Sequence, residues 1–117
     1  MREERRRVQR TRVDEGVGIR LLDSPATMML VDVSELGFSV VSVEPIAGTA
    51  PRWFRFFART DGWFAELSAR PVYVKPAREG YRTGFEFESV DRGDVHTAVE
   101  TLLRHASPGS PAQSATP

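Results

Sequence analysis

Apolar and polar side chains alternate along most of this chain, the period-two pattern of strands with one buried face. Val17-Gly18-Ile19-Arg20-Leu21-Leu22 alternates in this way and ends at a turn marked by Ser24-Pro25. Ala26 to Asp32, Phe38 to Val43 and Trp53 to Arg59 predict a second, third and fourth strand. Pro45 closes the third, and Asp61-Gly62 is a hairpin signal after the fourth. Trp63 to Leu67, Val72 to Val74 between Pro71 and Pro76, and Tyr81 to Phe87 continue the series, with Phe85 and Phe87 on one face. The segment 44–53 is irregular and leaves the strand borders there open. Only at the end does the period change. Val95, Val99, Leu102 and Leu103 recur at helical spacing and predict a helix from Asp91 to His105, with Asp91 or Asp94 available as its cap. Short strands with no helix between them predict an all-β domain, an antiparallel barrel or sandwich, with one C-terminal helix covering an open end or edge.

Composition narrows the possibilities. At 117 residues the chain suits one compact domain. The hydrophobic fraction is 40%, and no apolar run approaches the ~20 residues of a membrane span. The opening MREERRRVQR has no apolar stretch that could act as a signal peptide. A cytoplasmic protein with no membrane insertion is the expectation. The chain has no cysteine, which excludes disulfides, thiolate zinc sites and a Cys nucleophile. His96 and His105 fall in the helix without other obvious ligands, and no nucleophile, base and orienting group can be assembled. No metal and no enzyme activity are therefore expected.

Charge is balanced but unevenly placed. Sixteen basic and sixteen acidic side chains cancel, so the strongly positive field of a general nucleic-acid binder is missing. Residues 1–12 nevertheless carry six arginines against two glutamates, a net +4. Lys75 is the only lysine, so nearly every cation is a guanidinium, which grips phosphate bidentately and stacks on flat rings. Residues 1–12 are expected to be a flexible Arg-rich arm and 13–106 the barrel with its helix. Residues 107–117, SPGSPAQSATP, are expected to be a disordered tail.

The candidate chemistry sits in VDVSELGF, residues 31–38. In an extended strand Asp32 and Ser34 project from one face while Val31 and Val33 project from the other. Gly37 follows where the strand gives way to a turn or where the backbone must come close to something else. Two readings stand: a hairpin corner whose Asp and Ser satisfy their own backbone, or a pair of polar groups presented to a ligand. Trp53, Phe54, Phe56, Phe57 and Trp63 read as core or barrel-lid residues. His96 and His105 read as surface positions on the helix.

Taken together, the arm and this motif resemble the PilZ domain family, small bacterial β-barrels that bind cyclic di-GMP. The RxxxR signature is matched by Arg6-Arg7-Val8-Gln9-Arg10 and the [D/N]xSxxG signature by Asp32-Val33-Ser34-Glu35-Leu36-Gly37. Their order and separation also fit. Ala69-Arg70-Pro71-Val72-Tyr73-Val74, then Gly80-Tyr81-Arg82-Thr83-Gly84-Phe85-Glu86-Phe87 and a terminal helix, look like the latter half of the same fold, so the likeness covers about residues 5–105. Tyr73 stands where family members often carry Trp. The resemblance implies a six-stranded split barrel, cyclic di-GMP as ligand with no other cofactor, and a ligand site made of Arg6, Arg7, Arg10, Asp32, Ser34, Gly37 and Tyr73. It further implies a stand-alone receptor whose arm orders on binding and which signals through an effector protein. A PilZ-like adaptor that binds only protein is the alternative. A small barrel using its Arg arm on RNA or DNA is disfavoured by the zero net charge.

Overall fold

The computed structural model describes residues 11–13, 16–46, 48–78 and 80–106. Arg6, Arg7 and Arg10, with the rest of 1–10 and the 107–117 tail, lie outside the described residues. Among the described residues seven strands run as β1 (Thr11–Arg12), β2 (Val17–Leu21), β3 (Met28–Val33), β4 (Gly37–Ser42), β5 (Arg52–Ala58), β6 (Phe64–Ala77) and β7 (Gly80–Phe87). One helix, α1 (Gly93–Ala106), follows them. The strands form one sheet in the order β1-β3-β4-β7-β6-β5-β2, and every neighbouring pair is antiparallel. β2 and β3 touch across the remaining seam without laddering, so six strands form a nearly closed barrel and β1 lies alongside β3.

Alternation decides what fills the barrel. Phe54 and Phe56 on β5, Phe38 and Val40 on β4, Phe85 and Phe87 on β7, and Leu67 and Ala69 on β6 all face inward and are buried. Phe38 is the hub, with ring centroids 5.1, 5.0, 5.1 and 5.3 Å from Phe54, Phe56, Phe85 and Phe87. Edge-to-face and offset contacts of this kind add to the area each ring buries. Val99, Leu102 and Ala106 along one stripe of α1 complete the same core.

Some expectations need correction. Trp53 is 55% exposed, because it alternates out of phase with Phe54 and Phe56 and so lies on the outer face of β5. Phe57 shares that outer phase and is only half-buried. The two pieces read around Pro71 are one 14-residue strand, β6. β5 reaches only as far as the pair Arg52↔Ala69. Beyond Ala69, β6 keeps β7 alone as its neighbour, and a strand edge tolerates Pro71 and Pro76. Residues 11 and 12, assigned to the arm, form β1. Asp91 does not cap α1: His96 N–H donates to the carbonyl of Arg92 at 2.8 Å, which puts Arg92 at the cap position, while Asp94, inside the first turn, accepts from the otherwise unpaired Val95 N–H at 2.9 Å through Oδ1.

His105 is not a free surface side chain: only 22% of it is exposed. Its ring stacks on Trp63 at 4.7 Å and 12° between planes, and Nδ1 and Nε2 lie 3.0 Å from the Thr101 carbonyl and from Asp61 Oδ2. Both ring nitrogens thus face acceptors, which favours the doubly protonated imidazolium. The hydrogen bond with Asp61 raises the His105 pKa above its ordinary value, and the same bond lowers that of Asp61. This contact ties the last turn of α1 to the β5–β6 turn.

Candidate ligand-binding wall

The VDVSELGF segment is a bulge followed by a tight corner. Leu30 pairs with Val40 and Asp32 with Ser39, so Val31 is an extra residue in β3. The bulge leaves Leu30 and Val33 in the core and turns Asp32 to the outer surface of the barrel. Ser34 closes the corner. Its Oγ accepts from Leu36 N–H at 3.2 Å and Gly37 N–H at 3.3 Å, while Ser34 N–H donates to the Gly37 carbonyl at 2.8 Å. Gly37 is required by packing: a Cβ there would lie 2.0 Å from the Phe85 carbonyl oxygen. Asp32 and Ser34 therefore differ. Ser34 satisfies its own backbone, and Asp32 reaches across the wall.

Asp32 reaches two partners that the motif does not contain. Ser39 Oγ donates to Asp32 Oδ1 at 2.9 Å, and Arg82 Nη2 donates to Asp32 Oδ2 at 2.6 Å. Arg82 Nε and Nη2 also lie 3.3 and 3.1 Å from Ser39 Oγ. The Asp32 side chain is 9% exposed and that of Arg82 32%. Burial at that depth is tolerated because the pair is charge-assisted and hydrogen-bonded. Strand register explains the meeting: Asp32 pairs with Ser39, Ser39 with Gly84 and Gly84 with Tyr73. These four form one outward row across β3, β4, β7 and β6, roughly 14 Å wide at the usual strand spacing. Gly84 leaves room for the Tyr73 ring, since a Cβ on Gly84 would meet Tyr73 Cε2 at 2.1 Å. Lys75 Nζ lies 5.6 Å from the centre of that ring.

The wall thus brings together Asp32, Ser39, Arg82 and Tyr73 on one outer surface, with Ser34 and Gly37 building the corner beside them. β1 lies next to it: Thr11 pairs with Val33 and Arg12 with Asp32. The described chain therefore begins against the motif, one residue after Arg10. Ser39 and Arg82 were missed from the sequence. Ser39 alternates with inward Phe38 and Val40, and Arg82 sits beside buried Thr83, so outward placement was available, but their convergence on Asp32 depends on the strand pairing.

Among solved structures, this chain is similar to the PilZ domain with c-di-GMP of YcgR from Escherichia coli. The match has a TM-score of 0.71 at 14% identity and covers 97% of this chain and 99% of the other. The fold is that of a PilZ domain. A second PilZ-like match is Bacillus subtilis inhibitor of motility (MotI/DgrA), with a TM-score of 0.57 at 16% identity, covering 84% of this chain and 49% of that one. No family model and no curated protein matches the sequence. The likeness of this PilZ-type barrel is thus carried by its backbone. Among its described residues, no helix is long and apolar enough to cross a membrane, and no group of three or more His, Asp or Glu side chains is arranged to hold a metal.

Proposed function

We propose that this PilZ-type barrel is a receptor for cyclic di-GMP in the cytoplasm. In this reading Arg6, Arg7 and Arg10 close over a ligand resting on the wall of Asp32, Ser34, Gly37 and Tyr73, and the closed form is recognised by an effector protein. The observation that carries the reading is the pairing of Thr11 with Val33, which starts the fold beside the DxSxxG motif, directly after RxxxR. The chemistry is complementary. A guanine offers N1–H and N2–H₂ to a carboxylate, and the dinucleotide's phosphates offer oxygens to guanidinium forks. The bound state in the YcgR structure, whose domain has this fold, adds support for the ligand class.

Magnitudes favour a moderate affinity. Micromolar binding needs about −8.2 kcal/mol. Hydrogen bonds to charged groups contribute about 1.5–3 kcal/mol each. Four or five of them give about 6–15 kcal/mol gross, and association and ordering remove at least about 4 kcal/mol, leaving up to about 11 kcal/mol, a range whose upper part contains the micromolar value.

Titration calorimetry with cyclic di-GMP, GTP and cyclic di-AMP tests the proposal. Binding of cyclic di-GMP alone is expected, weakened at least about tenfold by Arg10→Ala and by Asp32→Ala in folded protein. No heat with any nucleotide would leave a PilZ-like adaptor that binds only protein.

A further inference from the structure

We infer that Arg82 reads guanine directly: held from one side by Ser39 and Asp32, it offers Nη1 to O6 of the base whose N1–H and N2–H₂ Asp32 accepts. This inference rests on the reading of the wall as a cyclic di-GMP site and adds to it a specificity-determining residue outside both signatures.

A guanidinium carries five N–H donors in a fixed plane. In Arg82 the donors on Nε and Nη2 are engaged, at 3.3 and 3.1 Å to Ser39 Oγ and 2.6 Å to Asp32 Oδ2. Nη1 has no acceptor among the described residues, and the side chain is 32% exposed. Two donors thus have no partner among the described residues, on a partly exposed side chain that sits against the Asp32 carboxylate. Carboxylate and guanidinium side by side form an acceptor–acceptor–donor array. Guanine presents the complement along one edge, with donors at N2 and N1 and an acceptor at O6. Adenine reverses the pattern, with an acceptor at N1 and a donor at position 6, so the same array repels it. Because Arg82 sits on β7 within the barrel and is pinned at two of its nitrogens, little side-chain freedom remains to be lost when the base arrives.

A purely structural Arg82, one that only neutralises Asp32, would influence all nucleotides alike. The distinction can be measured with cyclic di-GMP and its bis(6-thioguanine) analogue, in which a sulfur replaces O6 as a much weaker acceptor while N1–H and N2–H₂ are retained. Calorimetry on the full chain is expected to show wild type preferring the oxygen ligand by roughly tenfold or more. Arg82→Gln should bind cyclic di-GMP more weakly and show a preference near one. An unchanged oxygen-over-sulfur preference in Arg82→Gln overturns the inference and leaves the receptor reading intact. Absence of wild-type binding to cyclic di-GMP overturns the receptor reading itself. Should Arg82→Gln lose its cooperative thermal transition, Arg82→Lys, which retains the charge but not the fork, is held to the same criterion.

Discussion

Gly37→Ala probes how far the motif glycine serves the barrel. The added methyl would lie 2.0 Å from the Phe85 carbonyl oxygen and 3.1 Å from Glu86 Cα, both backbone atoms that no rotamer change can move. Contacts of a Cβ below 3.0 Å essentially do not occur, so β4 and β7 must part by about 1 Å at this point. Gly37 pairs with Glu86 and Phe38 with Phe85, so the strain falls on ladder hydrogen bonds and on the ring at the centre of the core. Overpacking costs about 1–3 kcal/mol, and a weakened hydrogen bond about 0.5–1.5 kcal/mol. A loss near 3 kcal/mol is expected, about 12–24 °C in thermal midpoint for a domain of this size. Differential scanning calorimetry measures it. A drop of less than about 4 °C with a native amide spectrum would refute the packing argument and return Gly37 to a role in ligand approach alone.

Two further outcomes follow from contacts outside the motif. The His105–Asp61 bond should make stability pH-dependent. The raised His105 pKa contributes stability that is full below the ordinary imidazole value of 6.5 and lost as pH rises through the folded value. The lowered Asp61 pKa contributes stability that is present above 3.8 and lost as pH falls through its folded value. The thermal midpoint of wild type relative to His105→Gln should therefore be highest between these limits and decline on the alkaline side, and a flat difference from pH 5 to 8 would contradict the contact. Gly84→Ala should displace the Tyr73 ring, 2.1 Å from the new Cβ, with little loss of stability because that ring is 36% exposed. Unchanged Tyr73 ring shifts by NMR would contradict the stacking.

What was legible in the sequence was whatever depends on period. Alternation identified the strands and put Phe85 and Phe87 on one face, and the change of period distinguished the terminal helix from the rest. Phase also sets Trp53 and Phe57 opposite Phe54 and Phe56, on the outer face of β5, where aromatic size does not bring burial. Local chemistry correctly marked the corner at Ser34 and Gly37. What was hidden depends on register. The bulge at Val31 aims Asp32 outward, and the pairing of β3, β4 and β7 brings Ser39 and Arg82 to it from 7 and 50 residues away. Beyond the hairpin signal at Asp61-Gly62, nothing in the linear pattern specifies which strands become neighbours. The contact of His105 with Asp61, 44 residues apart, was hidden for the same reason.

In the proposed reading the outer wall around Asp32 holds a guanine dinucleotide. Its most direct measurement is an amide and side-chain NMR titration of the isotopically labelled chain with cyclic di-GMP. Saturable shifts are predicted at Asp32, Ser34, Gly37, Ser39, Arg82 and Tyr73 and along residues 6–12, with the opposite face around Trp53 and Phe64 unmoved. Shifts absent from the Asp32 wall, or confined to the Trp53 face, would contradict the account.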